Sequence, residues 1–310
     1  MATEPILAVL DVPALPCPRV ARSTLLSDYW ALTKPEVNFL IVITTFVGFY
    51  LGCGAASHDF PFVRAINAVL GTLLVASGTG TLNQYIERRF DAQMRRTARR
   101  PLAAGRVKAS AVLWFGVSLS VIGSVYLAIA VNVLASVLAM TTLLAYLFVY
   151  TPLKRRTSLS TLVGALPGAM PPLIGWAAAS GKLPFEAWIL YAVLFLWQFP
   201  HFMAIAWMYR DDYDRAGYLV LPRGSKARIS VVNRQTMLPL LALLLLALIP
   251  AFAVKPSTLY RIGASLLNIA FLYYGARFVI RRSSSAARGL LAASIIYLPA
   301  LFLLMIVLRG

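Results

Sequence analysis

The stretch that decides the fold covers residues 83 to 101 and reads Asn83-Gln84-Tyr85-Ile86-Glu87-Arg88-Arg89-Phe90-Asp91-Ala92-Gln93-Met94-Arg95-Arg96-Thr97-Ala98-Arg99-Arg100-Pro101. A long apolar run gives way to charge here. A turn of about 100° per residue places Asn83, Glu87 and Asp91 on one helical face, within roughly 80° and about 12 Å of rise. Two carboxylates and an amide suit a hard cation such as Mg2+, and the arginines suit anions. The stretch predicts a diphosphate site; the alternative is a loop that is basic only because membrane topology requires it.

The composition is that of an integral membrane protein. Of the 310 residues, 60% are hydrophobic and only 13% are charged, with a mean hydropathy of +0.76. A net charge of +18 does not indicate nucleic-acid binding, because the basic residues lie between apolar runs and not on a patterned surface. The two cysteines, Cys17 and Cys53, have no metal-ligand neighbours, so neither a disulfide framework nor a metal site is predicted there.

Nine apolar runs are long enough to cross about 30 Å of hydrocarbon. They cover roughly residues 38–55, 63–83, 110–130, 132–150, 161–179, 187–208, 236–254, 262–280 and 290–308. The fold class is therefore all-α, a polytopic membrane protein built as a bundle of nine transmembrane helices. With residues 1–27 as a cytoplasmic tail, 24 of the 29 Lys and Arg residues fall in inside segments. This asymmetry predicts a cytoplasmic N-terminus and a C-terminus on the outer side.

Acidic residues are more informative, because topology does not require them. Five of the eleven form two clusters on the predicted inner side, namely Glu87 with Asp91, and Asp211 with Asp212 and Asp214. They follow the second and sixth spans. In a chain with two similar halves these span ends converge, and each cluster could hold a Mg2+ against diphosphate oxygens. Two unrelated acidic loops are the alternative.

Two further residues stand out by position. Lys154, in the inside segment 150–157, is a candidate phosphate contact, and a solvated topological charge is the equal alternative. His201 lies inside a predicted span, where an imidazole usually faces the bundle interior and has a partner. It could ligate a haem iron, or it could be a hydrogen-bonded structural histidine beside Pro200. His58, in a short external loop, is given no role.

Several segments together resemble the UbiA-type intramembrane prenyltransferases. They are the Asn83 to Leu102 motif, Leu32-Thr33-Lys34-Pro35, residues 150–157, residues 168–176, Trp197-Gln198-Phe199-Pro200-His201-Phe202 and Asp211-Asp212-Tyr213 with Gly217. The resemblance covers about residues 28 to 308. The runs Pro171-Pro172-Leu173-Ile174-Gly175-Trp176 and 197–202 resemble the branch of the family whose acceptor is haem.

The resemblance implies an intramembrane prenyltransferase domain over residues 28–310, with the helices around a central cavity that opens laterally to lipid. It implies Mg2+ as cofactor, farnesyl diphosphate and haem b as substrates, and farnesyl transfer to the 2-vinyl group with addition of water. One Mg2+ would be held by Asn83, Glu87 and Asp91, and the other by Asp211 and Asp212. The diphosphate would be contacted by Lys34, Arg95, Arg99 and Lys154, and His201 would lie at the haem.

The sequence departs from the family pattern at two positions. Glu87 stands where the family more often has Asp, and its extra methylene could shift a metal by about an ångström. Glu36 replaces a residue that is commonly basic, which weakens a phosphate role for Lys34. Further expected partners are the lipid bilayer and haem A synthase or the oxidase assembly machinery. The short tail without a transit peptide favours a bacterial inner (plasma) membrane.

Three other functions compete with this interpretation. A related prenyltransferase could alkylate an aromatic acid or quinone precursor at the same metal site. A transporter is disfavoured because the acidic residues gather at one face, whereas transporter sites usually lie near the midplane. A non-catalytic assembly factor would leave the acidic clusters without a purpose.

Overall fold

The structure, a computed structural model, describes residues 24–54, 59–246 and 258–308, and these residues form helices and their connections. The helices are α1 Leu25–Leu32, α2 Pro35–Gly52, α3 Phe62–Asp91, α4 Ala109–Ala130, α5 Val133–Leu144, α6 Thr151–Leu153, α7 Ser160–Gly168, α8 Met170–Ser180, α9 Phe185–Met208, α10 Arg210–Arg215, α11 Ser225–Leu246, α12 Thr258–Arg281 and α13 Ser284–Val307. A π-helical segment, Ala145–Tyr150, joins α5 to α6.

Nine helical stretches within these ranges are long and apolar enough to cross a membrane. They are α2, α3, α4, the continuous stretch Val133–Leu153, the stretch Ser160–Ser180, α9, α11, α12 and α13. The predicted all-α bundle of nine spans is confirmed.

The helices extend beyond the predicted apolar runs, by the most residues at the second and seventh spans. The second span continues as helix to Asp91, past its predicted end at 83, and the seventh begins at Ser225, before its predicted start at 236. Hydropathy detects only the apolar part of a helix, whereas backbone hydrogen bonding continues into polar sequence. The predicted end of the seventh span at 254 lies outside the described residues, as do Cys17 and His58.

The lead-in before the first span is the short helix α1. The Thr24 hydroxyl caps it by accepting a hydrogen bond from the Ser27 amide at 3.2 Å. Leu26 and Trp30 are exposed, as expected for an interfacial anchor. On the opposite side Asp28 is buried and accepts from Arg106 Nε at 3.0 Å. This ion pair ties α1 to the loop between α3 and α4.

Close packing of α2 against α8 depends on glycine. A Cβ built at Gly175 would collide with the carbonyl oxygen of Thr45, and one at Gly48 would collide with the carbonyl of Pro172. Small residues let helix backbones approach in a membrane, where apolar burial alone gives little driving force between helices. These glycines therefore bring the segment 168–176 directly against the first span.

The π-helical segment has a local cause. Pro152 has no amide proton and cannot donate to the preceding turn, so the helix widens just before it. The Thr151 hydroxyl donates to Tyr146 O at 2.8 Å and supplies one bond that the wider turn lacks. This turn also sets the direction of the side chain of Lys154, which follows it.

Candidate active site

The predicted face of α3 is formed and is buried. Asn83, Glu87 and Asp91 are exposed by only 1%, 6% and 1%, respectively. All three lie in the last turns of the second span, at the end of the bundle where α9 also ends; we call this the basic end. Buried carboxylates are rare without partners, so the residues that pair with them belong to the same site.

Each of the three side chains has a basic partner from elsewhere in the chain. Lys34 Nζ donates to Asn83 Oδ1 at 2.7 Å, Lys154 Nζ to Glu87 Oε1 at 2.8 Å, and Arg100 Nη1 to Asp91 Oδ2 at 2.7 Å. Lys34 precedes the first span and Lys154 follows the fourth. Three separate segments therefore converge on one face of α3, and both predicted lysines are among them.

Lys34 is held in an unusual conformation. Its backbone is left-handed, with φ 55° and ψ 61°, which costs a non-glycine residue roughly 1–2 kcal/mol. Its side chain passes beside Gly80, where a Cβ would be in van der Waals contact with Lys34 Cδ at 3.4 Å. Burial, together with the positive charge of Arg100, lowers the pKa of Lys34 to about 7. An added anion would favour the charged form of this amine.

Lys154 is enclosed by aromatic rings that the sequence analysis did not assign to the site. Its Nζ lies 4.5 Å from the ring centroid of Tyr150 and 6.0 Å from that of Tyr146. Burial alone would lower the pKa of Lys154, but the Glu87 carboxylate raises it well above its usual value. The spacing of four between residues 146, 150 and 154 is the sequence signal that could have identified these rings.

The loop after α3 contacts the helix that follows α9. Asp212 is buried, its Oδ2 accepts from the backbone amide of Arg96 at 3.3 Å, and its Oδ1 lies 3.2 Å from Arg215 Nη2. Beneath this contact Phe90 and Tyr218 pack edge to face, 6.0 Å between ring centroids. The ends of the second and sixth spans therefore converge.

Three of the predicted site residues do not lie among these buried side chains. The side chain of Asp211 points away from that of Asp212, because successive residues of a helix point about 100° apart. It is 79% exposed, and its Oδ1 lies 3.7 Å from Arg210 Nε. Arg95 and Arg99 are exposed, and Arg100 is the arginine that reaches Asp91. The sequence could not choose among consecutive arginines in a loop without helical periodicity.

The oxygen atoms of the cluster suit a magnesium ion that is shared with a substrate. Asp91 Oδ1 is buried and has no hydrogen-bond partner, so it is free to accept a cation. Within the described residues, no three His, Cys, Asp or Glu side chains gather as a complete metal site. Mg2+ characteristically takes one or two carboxylates and completes its shell with water and phosphate oxygens, so this donor set fits it.

A second polar group lies within the bundle, between α9 and α13. His201 Nδ1 is 2.8 Å from Ser294 Oγ, and the imidazole stacks on Trp197 with 4.8 Å between centroids. Trp197 Nε1 donates to Ser294 O at 2.8 Å. His201 therefore has the interior partner expected of an intramembrane histidine.

The two sequence runs that resemble the haem branch lie close together. Gln198 Nε2 donates to Ala165 O at 3.2 Å, and a Cβ at Gly168 would collide with Gln198 Oε1. The run 197–202 is thus joined to the end of α7, next to α8, which bears Pro171 to Trp176. One region of the bundle brings together both motifs and His201.

Comparison with known protein families and with curated proteins gives prenyltransferases in both cases. Residues 41–305 match the model of the UbiA prenyltransferase family. A curated protein named protoheme IX farnesyltransferase, from Solibacter usitatus (strain Ellin6076), is 47% identical over 90% of this chain and 97% of its own length. Another of the same name, from Koribacter versatilis (strain Ellin345), is 40% identical over 94% of this chain and 96% of its own.

Solved structures show the same fold at low sequence identity. A digeranylgeranylglyceryl phosphate synthase superimposes with a TM-score of 0.71 at 16% identity, covering 92% of this chain and 98% of that one. A UbiA homolog from Archaeoglobus fulgidus, solved with GPP and Mg2+, gives a TM-score of 0.60 at 12% identity, covering 90% and 99%.

Proposed function

The chain belongs to the UbiA prenyltransferase family, and on this premise we propose that it transfers a farnesyl group from farnesyl diphosphate to the 2-vinyl group of protoheme IX (haem b). Water adds in the same reaction, and the product is haem O. The observation that supports this acceptor most directly is the 47% identity, over nearly the whole of both chains, to a protein named protoheme IX farnesyltransferase.

The basic end of the bundle supplies what a diphosphate needs. Lys34, Lys154 and Arg100 direct three cationic groups at one buried face, and charge-assisted hydrogen bonds to phosphate are among the strongest available to a protein. Asn83, Glu87 and Asp91 would hold Mg2+, with Asp211 and Asp212 as the predicted ligands of a second ion. When bound, Mg2+ neutralises the charge that develops on the departing diphosphate.

The transfer needs no nucleophile from the protein. The carbon–oxygen bond of farnesyl diphosphate breaks with both electrons leaving on the diphosphate, and an allylic cation remains. The vinyl π-electrons of haem attack that cation and form the new carbon–carbon bond. The resulting cation beside the porphyrin takes up water and releases a proton. The task of the chain is to hold both substrates together and to bind the leaving group.

The arrangement of the bundle suits a lipid-tailed donor. The diphosphate would lie among the residues at the basic end, and the farnesyl chain would extend between helices in a central cavity. Haem would lie near His201. This residue belongs to one haem-branch motif, the run 197–202, and that run lies close to the other motif. We infer that the basic end faces the cytoplasm of a bacterial inner membrane, as the distribution of Lys and Arg favours.

The proposal is tested with detergent-purified protein, haem b, farnesyl diphosphate and Mg2+, with and without a chelator. Chromatography and mass spectrometry should reveal a product with the mass of haem plus a farnesyl group plus a hydroxyl group, and the chelator should abolish it. A hydroxybenzoate is supplied in parallel. Prenylation of that acceptor without a haem product would contradict the proposed acceptor while retaining the diphosphate site.

A further inference from the structure

A short hydrogen-bond chain crosses the interface of α9 and α13 and ends at the imidazole of His201. Ser294, which provides its middle atom, is fully buried, with 0% exposure. Its Oγ lies 2.6 Å from Leu291 O on one side and 2.8 Å from His201 Nδ1 on the other. Both contacts are within hydrogen-bond distance, so the direction of each bond can be deduced from the available protons.

The protons available to this chain determine the tautomer of His201. A carbonyl oxygen can only accept, so the Ser294 hydroxyl donates its single proton to Leu291 O, in the back-bonded geometry common for serine in helices. Ser294 Oγ can then only accept from His201 Nδ1, which must carry the ring proton. A neutral imidazole has one such proton, and Nε2 is therefore left with a lone pair.

Surrounding aromatic groups fix the orientation of the ring. Trp197 stacks on it at an interplanar angle of 26°, and Phe202 packs against it edge to face, 5.8 Å between centroids. Trp197 is itself anchored by its bond to Ser294 O. In the part of the chain that the structure describes, His201 Nε2 forms no hydrogen bond, and the residue is only partly buried.

We propose that Ser294 is a positioning residue for the haem acceptor: it holds His201 in the Nδ1–H tautomer, so that Nε2 presents its lone pair to the haem iron. The inference rests on the proposed function, since the acceptor supplies the iron. A histidine that binds a metal through one nitrogen usually donates the proton of the other to a fixed partner, which sets ring orientation and raises ligand basicity.

The test uses the full-length protein in detergent, titrated with haem b. Haem affinity is measured by absorption, and the iron–histidine stretch of the reduced complex is measured by resonance Raman spectroscopy. We expect Ser294→Ala to weaken haem binding about 10-fold and to shift the stretch, while Ser294→Thr retains the hydroxyl and the wild-type spectrum. Ser120→Ala is the matched control, because Ser120 is also buried and back-bonded, to Gly116 O at 2.8 Å.

The possible outcomes separate this inference from the proposed function. If wild type binds haem and Ser294→Ala has the same affinity and the same stretch, the inference is overturned and the proposed function stands. An iron–histidine stretch that persists in His201→Ala also overturns the inference. A wild-type protein that binds no haem contradicts the proposed function itself.

Discussion

Lys154 Nζ lies 2.8 Å from Glu87 Oε1, and this contact joins residues 67 positions apart in the chain. Their side chains are only 14% and 7% exposed. A carboxylate buried to this extent is tolerated because the ammonium group is beside it, and removal of either partner leaves a buried charge uncompensated. The pair therefore contributes to folding as well as to the proposed binding of diphosphate.

We expect Lys154→Met to destabilise the protein by about 3 kcal/mol, because Glu87 is left unpaired. The double variant Lys154→Met with Glu87→Leu should recover most of that loss, since an apolar pair removes both charges. Thermal unfolding in detergent measures the stability of each variant. Arg156→Ala is the control, because Arg156 is exposed. Equal stability of the single and double variants would contradict the pairing.

Asp91→Asn should reduce turnover about 100-fold, by analogy with the loss of one electrostatic contact to a developing charge. The amide keeps the shape of the side chain but binds Mg2+ and Arg100 less well. Fluorescence or calorimetric binding of a non-reactive farnesyl diphosphate analogue, in the presence of Mg2+, provides a second readout. Asp214→Asn is the matched control, because Asp214 is partly exposed and pairs with Arg228. Normal turnover and analogue binding in Asp91→Asn would exclude Asp91 from the diphosphate site.

Arg100→Ala should weaken the binding of farnesyl diphosphate about 10-fold, whereas Arg99→Ala should have little effect. The reason is geometric, since the 2.7 Å bond to Asp91 places Arg100 at the buried face of α3, whereas Arg99 is exposed. A charge-assisted bond from Arg100 to phosphate would contribute about 1.5–3 kcal/mol. The affinity of the two variants for the same non-reactive farnesyl diphosphate analogue tests this difference. A larger loss in Arg99→Ala would restore the sequence-based choice of Arg99.

The proposed pair of Mg2+ ions implies a stoichiometry that can be measured. With the diphosphate analogue bound, wild type should hold two Mg2+ per chain, and Asp211→Asn or Asp212→Asn should reduce the number to one. Asp211→Asn should leave thermal stability unchanged, because the side chain is 79% exposed. Metal analysis after rapid gel filtration gives the count. A single Mg2+ in wild type would remove Asp211 and Asp212 from the metal-binding residues.

Gly175→Ala should destabilise the bundle by about 1–3 kcal/mol, the usual cost of overpacking, because the new methyl group meets the Thr45 carbonyl. Gly289→Ala is the matched control, since the nearest atom to a Cβ there is 3.5 Å away. Thermal unfolding of the two variants in the same detergent makes the comparison. Equal stabilities would show that α2 can move away from α8 at little cost.

The sequence by itself determined the nine spans and the acidic face of α3. Both follow from periodicity: a run of apolar residues long enough for the bilayer must be helical, and residues four apart on a helix share a face. Lys34 and Lys154 were also candidates from the sequence, Lys34 through the family resemblance and Lys154 as a basic residue after the fourth span. Local sequence was sufficient to name them but not to identify their partners on α3.

Only the tertiary structure decided which residues meet. It selected Arg100 over Arg99 for Asp91 and turned Asp211 away from Asp212, because loop geometry has no period that a sequence can reveal. It also joined His201 to Ser294, 93 positions away in the chain. Contacts of that kind depend on how α9 and α13 pack, and helix packing is decided by the shapes of whole surfaces and not by the spacing of residues within one segment.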